Sequence, residues 1–232
     1  MKFIIGNWKM NGNTDEKDAL LKSLKNSRTK NKVVVCLPFT LLYGNDFGIT
    51  LGAQDISEHP NGAYTGDISG QMLKDANVKY VIVGHSERRL YHKETNETTR
   101  AKATAAIKNG IIPVICVGET ATDKNAGRTM SVVKKMLLES VPQKGEYIVA
   151  YEPRWAIGTG KTPTYEEIAS VMETLHKALI GIKRENIALL YGGSVNQDNA
   201  KQIISIKNID GLLVGGASLK SDTFLPIIKS IE

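Results

Sequence analysis

Cysteine is scarce in this chain: Cys36 and Cys116 are the only two among 232 residues, and each sits in an apolar run, VVVCLP and PVICVG. Two buried thiols offer no disulfide framework and predict a reduced, cytoplasmic setting. Long apolar runs are missing as well. The opening MKFIIGNWKMNG is interrupted by Lys9 and is too short for a signal peptide. No stretch approaches the length of a membrane span, so no membrane partner is expected. In such a setting the sequon Asn96-Glu97-Thr98 carries no weight. There is no block of one charge either. Lys and Arg outnumber Asp and Glu by 30 to 24, giving +6 and a pI near 9.1. The densest basic group, Lys22 to Lys32, is broken by Leu, Asn and Ser and reads as a solvated helix end. With no recognised nucleic-acid motif beside it, this charge points away from nucleic acid and toward a small anionic substrate.

Linkers and low-complexity stretches are absent too, so residues 1–232 are expected to form one domain. Apolar residues make up 41% of the chain, enough for a sizeable core at this length. Eight short apolar runs recur: 3–8, 33–38, 49–54, 80–84, 111–118, 146–152, 187–193 and 210–216. Their apolar residues are consecutive and β-branched, the pattern of strands buried on both faces. Helical patterns occupy 15–25, 94–109, 128–140, 164–180, 197–205 and 222–230. In the clearest, Thr164 and Glu167 form a capping box, Ile168, Val171, Met172, Leu175 and Leu179 follow at helical spacing, and Gly181 is the expected stop. The segment after the second strand, FTLLYGNDFG, is short and ambiguous. Eight strand–helix units without a break predict an α/β fold, a single closed (β/α)8 barrel. An open doubly wound sheet would give the same spacing.

A barrel of this kind carries its chemistry at the C-terminal ends of its strands. Six strands here end in polar or glycine residues: Asn7-Trp8-Lys9, Gly84-His85-Ser86-Glu87, Cys116-Val117-Gly118-Glu119, Glu152, Gly192-Gly193-Ser194 and Gly215-Gly216. Glu152 follows an apolar strand, with Trp155 and Ile157 nearby. A carboxylate in such surroundings has a raised pKa and can act as a general base, although a strand-end salt bridge is the plainer use. His85 stands at a helical start, where the imidazolium form is disfavoured. Lys9 at a barrel mouth suits an anion or a polarised carbonyl. The glycine pairs after strands seven and eight suit a phosphate cradle of backbone N–H groups.

The stretch YEPRWAIGTGKTP (151–163) bends rather than continuing a strand or helix. Its GTGKT is not a P-loop, because Trp155 occupies the position that needs glycine. Pro153 fixes one end, Gly158 and Gly160 loosen the middle, and Trp155 and Ile157 give an apolar tip. This is the composition of a lid that excludes water.

At these residues the chain resembles the triosephosphate isomerase family. The resemblance runs over essentially the whole chain through GNWKMNG (6–12), GAYTGDIS (62–69), VGHSERR (83–89), YEPRWAIGTGKT (151–162), YGGSV (191–195) and VGGASL (214–219). It implies interconversion of dihydroxyacetone phosphate and glyceraldehyde 3-phosphate without metal or organic cofactor. It also implies Glu152 as base and His85 as a neutral proton shuttle, a pairing well known in this family. Asn7 and Lys9 would stabilise the enediolate, with Glu87 pairing Lys9 and Cys116 in support. Gly158, Ser194, Gly215 and Gly216 would bind phosphate. The lid would comprise Pro153, Arg154, Trp155, Ala156, Ile157, Gly158, Thr159, Gly160, Lys161 and Thr162. A homodimer is implied as well, through the long loop 55–69 with Thr65 and Gly66 near its tip. Three features depart from the family pattern: Arg154 and Pro163 at the lid's hinges, and a trimmed second unit. The first two are expected to affect lid opening rather than chemistry.

Overall fold

A computed structural model of the chain describes residues 1–45, 47–156 and 162–231. In chain order its elements are β1 (Phe3–Asn7), α1 (Thr14–Lys25), β2 (Lys32–Leu37), a 3-10 turn (Phe39–Leu41), β3 (Thr50–Ala53), α2 (Gly70–Asp75), β4 (Tyr80–Val83), α3 (Ser86–Tyr91) and α4 (Asn96–Lys108). There follow β5 (Ile112–Val117), α5 (Ala121–Asn125), α6 (Thr129–Ser140), β6 (Ile148–Tyr151), α7 (Tyr165–Gly181), β7 (Leu189–Tyr191), α8 (Ala200–Ile204), β8 (Gly211–Val214), a second 3-10 turn (Gly216–Ser218) and α9 (Ser221–Ser230).

Each strand pairs in parallel with the next, and β1 pairs with β8 through Phe3↔Gly211 to Gly6↔Val214. That last pairing closes the barrel and excludes the open sheet. Alternate residues of every strand but β3 fall into two apolar groups. Ile5, Val34, Ile82, Val114, Cys116, Ile148, Leu190 and Leu213 pack together as one group. Their neighbours Ile4, Val35, Val81, Ile115, Val149, Leu189 and Leu212 belong to the other, with helix residues such as Leu21, Ala103, Leu137, Leu175 and Phe224. Side-chain alternation along a strand assigns the first group to the barrel interior and the second to the layer beneath the helices. The interior is tight. A Cβ on Gly52 would collide with Cys36 Sγ, so glycine at that position leaves the thiol its space.

The helix over 164–180 forms as its sequence dictates. Thr164 accepts from Glu167 N–H and Glu167 accepts from Thr164 N–H. Gly181 is not the stop: it lies within the helix. The left-handed residue that ends it is Lys183, at φ 60°, with its N–H on the Ile180 carbonyl. Two helices, α2 and α5, carried no sequence signal, and α3 showed only its start at His85, because five or six residues cannot display an apolar period. The predicted helix over 94–109 is α4 alone, and the segment just before it is occupied by α3. Between β2 and β3 the described residues hold only the 3-10 turn, in keeping with a trimmed second unit. Residues 55–69 hold neither helix nor strand.

Candidate active site

The strand ends bring Asn7, Lys9, His85, Glu152, Ser194, Gly215 and Gly216 to the wall of one cavity of about 290 Å³, which Gly192, Gly193, Asn196 and Leu213 complete. A larger cavity of about 860 Å³ lies elsewhere, between Glu58–Pro60, α4 and Pro142–Lys144, and contains none of these residues. The smaller one holds the convergent acid, imidazole and ammonium, so it is the candidate site.

Asn7 ends β1 and is buried, and its Oδ1 accepts from the Lys9 N–H at 3.0 Å. That bond helps hold Lys9 at φ 54°, a left-handed conformation unusual for lysine. Lys9 Nζ lies 2.5 Å from Glu87 Oε1, as the resemblance implied. Glu87 is half exposed, so the pair orients Lys9 more than it stabilises the fold.

His85 caps the start of α3, and its Nδ1 accepts from the Glu87 N–H at 3.3 Å. Only an unprotonated nitrogen can accept, so the ring proton belongs on Nε2. Nε2 lies 3.0 Å from Glu152 Oε1, while Glu152 Oε2 accepts from the Ser86 N–H at 3.0 Å. The sequence missed this second bond, which depends on a backbone group 66 residues away.

The electrostatics correct one expectation. Burial does push the Glu152 carboxyl up, but His85, the Ser86 N–H and Lys9 together hold it below the usual glutamate range. Its partner responds in the opposite sense. Burial pulls His85 down, and the Glu152 carboxylate more than reverses that while the two are in contact.

Two glycines set where Glu152 can be. A Cβ on Gly118 would lie 2.6 Å from the Glu152 carbonyl carbon and would collide with its oxygen. A Cβ on Gly192 would lie 3.1 Å from Glu152 Cγ. Thus the ends of β5 and β7 leave room for the backbone and side chain of this residue. Gly118 had been noted only as a strand end.

The expected lid begins directly after Glu152. Pro153 and Ala156 are buried, Arg154 and Trp155 are half-buried, and Thr162 is exposed. Ile157, Gly158, Thr159, Gly160 and Lys161 lie outside the described residues, and with them the Gly158 phosphate contact. Trp155 is not an apolar tip. Its Nε1 donates to Glu119 Oε1 at 2.7 Å, and Lys124 Nζ sits 3.5 Å from its ring centroid. Glu119 is buried, also accepts from Tyr151 O–H at 3.2 Å, and was given no role from the sequence. Its place at the end of β5 was the available signal. Pro163 is buried immediately before the cap Thr164, four residues beyond which come the helix's first turn and the buried Ile168. These are the two positions of a hydrophobic staple. Cys116 is fully buried, and burial followed by Glu152 pushes its thiol well up, so it is an inert packing residue. Ser194, Gly215 and Gly216 line the cavity, and a 3-10 turn starts at Gly216.

A closed (β/α)8 barrel with acid, imidazole and ammonium gathered at the C-terminal mouth defines a barrel enzyme acting on a small ligand. Comparison with known proteins narrows the class. The family profile described as triosephosphate isomerase matches residues 2–231. The triosephosphate isomerase of Delftia acidovorans is 45% identical, covering 100% of this chain and 99% of its own. That of Albidiferax ferrireducens is 47% identical over 99% and 98%. The crystal structure of triosephosphate isomerase from Bartonella henselae superposes with a TM-score of 0.89 at 36% identity, covering 99% of this chain and 98% of that one. The chain belongs to the triosephosphate isomerase family and is an isomerase.

Proposed function

We propose that Glu152, His85, Lys9 and Asn7 act as one site that interconverts dihydroxyacetone phosphate and D-glyceraldehyde 3-phosphate through an enediolate. Glu152 removes a proton from the carbon beside the carbonyl and returns it to the neighbouring carbon. His85, as the neutral ring, moves protons between the two oxygens. Lys9 and Asn7 stabilise the charge that develops on them. The observation that carries this reading is the paired placement of Glu152 on His85 Nε2 and Ser86 N–H beside a cavity that Lys9 also lines. In that position the carboxylate is ionised and its partners are removable: a bound substrate displaces both bonds as Glu152 turns onto the carbon acid.

Ser194, Gly215 and Gly216 would hold the phosphate, joined by Gly158 from residues 153–162 acting as a lid. An exposed enediolate can lose phosphate, and a dry, closed site suppresses that loss. Arg154 and Pro163 at the two hinges would tune how fast this lid opens. The reaction as written requires no cofactor, and one domain spanning 1–232 in the cytoplasm suffices for it.

A homodimer fits the same reading. Loop 55–69 presents Thr65 and Gly66 at an exposed tip. A second cavity of about 420 Å³ is also bordered by Asn7 and Lys9, and is walled by Met10, Phe39, Gln54 and Tyr91. Met10 and Tyr91 are 95% and 71% exposed, which suits surfaces covered by a partner copy. A sedimentation-velocity run giving only monomer at assay concentration contradicts the dimer. The reaction itself is tested by supplying glyceraldehyde 3-phosphate to the pure protein and following dihydroxyacetone phosphate. Absence of conversion contradicts the assignment.

A further inference from the structure

Arg89 sits in α3, one helical turn beyond His85, and is not part of the wall of the candidate site. Its guanidinium is spread over four neutral acceptors. Nε donates to the Gly84 carbonyl at 2.7 Å, Nη1 to Asn96 Oδ1 at 2.8 Å, and Nη2 to the Cys116 carbonyl at 3.1 Å and Ser140 Oγ at 3.3 Å. A charge held largely out of water by neutral partners is an expensive arrangement, and burial lowers the Arg89 pKa accordingly. Two of the four partners explain what the arrangement does. Gly84 O belongs to the peptide that carries His85 N, at the end of β4. Cys116 O lies near the end of β5, two residues before Gly118, against which the Glu152 backbone packs. One planar fork therefore ties together the two strand ends that support the acid–base pair.

The Gly84 turn shows the same dependence. Gly84 is left-handed, at φ 63°, and a Cβ there would meet Thr99 at 2.6 Å and Arg89 Nη2 at 2.8 Å. The guanidinium fills the space against that turn, and its bond to Gly84 O fixes the peptide plane from which His85 enters the helix cap. Arg89 N–H also donates to the His85 carbonyl at 3.0 Å, so backbone and side chain of one residue brace both sides of His85. Lysine could reach one of these carbonyls as a point charge, but could not span both in a fixed plane.

We propose that Arg89 is a positioning residue for the proton transfer: without touching substrate, it holds His85 at the height and tilt that Glu152 and the reacting oxygens require. This rests on the reading of His85 as the proton shuttle. The test compares Arg89→Gln and Arg89→Lys with Ser140→Ala, which deletes one Arg89 partner that belongs to neither strand end. Turnover of glyceraldehyde 3-phosphate is measured together with the ¹⁵N resonances of the His85 ring in histidine-labelled protein and the thermal midpoint.

The expected result is a kcat loss of about 10-fold or more in Arg89→Gln, with KM changed by less than about 3-fold because the phosphate-side loops are untouched. The His85 resonances should shift, Arg89→Lys should recover part of kcat, and Ser140→Ala should match the parent. Parental kcat with unshifted His85 resonances in a folded Arg89→Gln overturns the inference. So does a loss that merely tracks the fraction of folded protein. If Arg89→Gln does not fold, a parental kcat and His85 spectrum in Arg89→Lys overturns it equally. His85→Gln is run alongside. If that variant keeps parental turnover, the shuttle reading itself fails and the inference with it. A disabled His85→Gln beside a parental Arg89→Gln removes Arg89 alone.

Discussion

Replacing Gly118 by alanine should damage catalysis far more than folding. A Cβ at this position lies 2.6 Å from the Glu152 carbonyl carbon and overlaps its oxygen. Unstrained carbon–carbon contacts start at about 3.5 Å, so clearing the carbonyl carbon alone takes about 0.9 Å, and clearing the more deeply overlapped oxygen takes more than about 1 Å. The neighbour is backbone and cannot rotate away. Glu152 N–H is bonded to the Val117 carbonyl at 2.8 Å, so the movement falls on the backbone that carries Glu152, the proposed base. Overpacking of this kind costs about 1–3 kcal/mol of stability, which a barrel of this size can survive. Displacing a reacting group by roughly an ångström can cost about 10²-fold in rate. Gly118→Ala should therefore remain folded by circular dichroism and lose about 10²-fold in kcat with glyceraldehyde 3-phosphate. A folded Gly118→Ala enzyme with kcat within a factor of two of the parent would refute the argument that this contact places Glu152.

Gly181→Ala is the converse case. No atom lies within 4 Å of the added Cβ, and the residue is helical, so it should stabilise the protein by about 0.5–1 kcal/mol in urea melts without changing kcat. Lys9→Met removes the cation that the proposed mechanism sets beside the developing oxyanion. It should lower kcat by about 10²–10³-fold while the melting curve stays close to the parent's; retained activity would leave Lys9 only its pairing with Glu87. Glu94→Gln probes the buried cluster in which Glu94 Oε1 meets Lys102 Nζ and Arg88 Nε at 2.5 Å each, with Asp55 on the same two cations. Burial raises the Glu94 pKa, but Lys102 and Arg88 bring it below the ordinary glutamate range. A depressed folded-state pKa adds stability above the unfolded-state pKa, and that stability is lost as pH falls through the folded one. The variant should thus be weaker by about 3 kcal/mol at pH 7, the deficit shrinking below the ordinary carboxylate range. Asp55 is pushed up by burial and also by the Glu94 charge, so it runs the opposite way; losing that charge in the variant lowers Asp55 and eases its part of the pH dependence. A deficit that does not change with pH would contradict the ion-pair account.

The strands were legible because residues buried on both faces leave consecutive apolar runs, and each run lies within two residues of an observed strand. Closure was not. The β1–β8 ladder joins residues about 208 positions apart, and a βα repeat spaces its strands identically whether or not the ends meet. His85 and Glu152 were visible one by one as polar residues at strand ends. Their mutual bond was not, and it reversed the expected direction of the Glu152 pKa, since local apolar neighbours say nothing of an imidazole 67 residues away. Trp155 shows the same limit. Its composition suggested a cover over the mouth, whereas Glu119 and Lys124, distant in sequence, hold it at the lid's base. Lys183 rather than Gly181 takes the left-handed conformation because α7, with Ala178 and Leu179 buried, keeps Gly181 as its last helical residue before the chain turns.

The central claim is that Glu152 is the base, and its most direct test is Glu152→Asp. The shorter side chain keeps the carboxylate but withdraws it by about one methylene, roughly an ångström or more from the carbon acid. The account predicts a protein that melts like the parent yet converts glyceraldehyde 3-phosphate to dihydroxyacetone phosphate at least about 10²-fold more slowly, with a primary isotope effect on the transferred hydrogen. Near-parental turnover in a folded Glu152→Asp enzyme would contradict it.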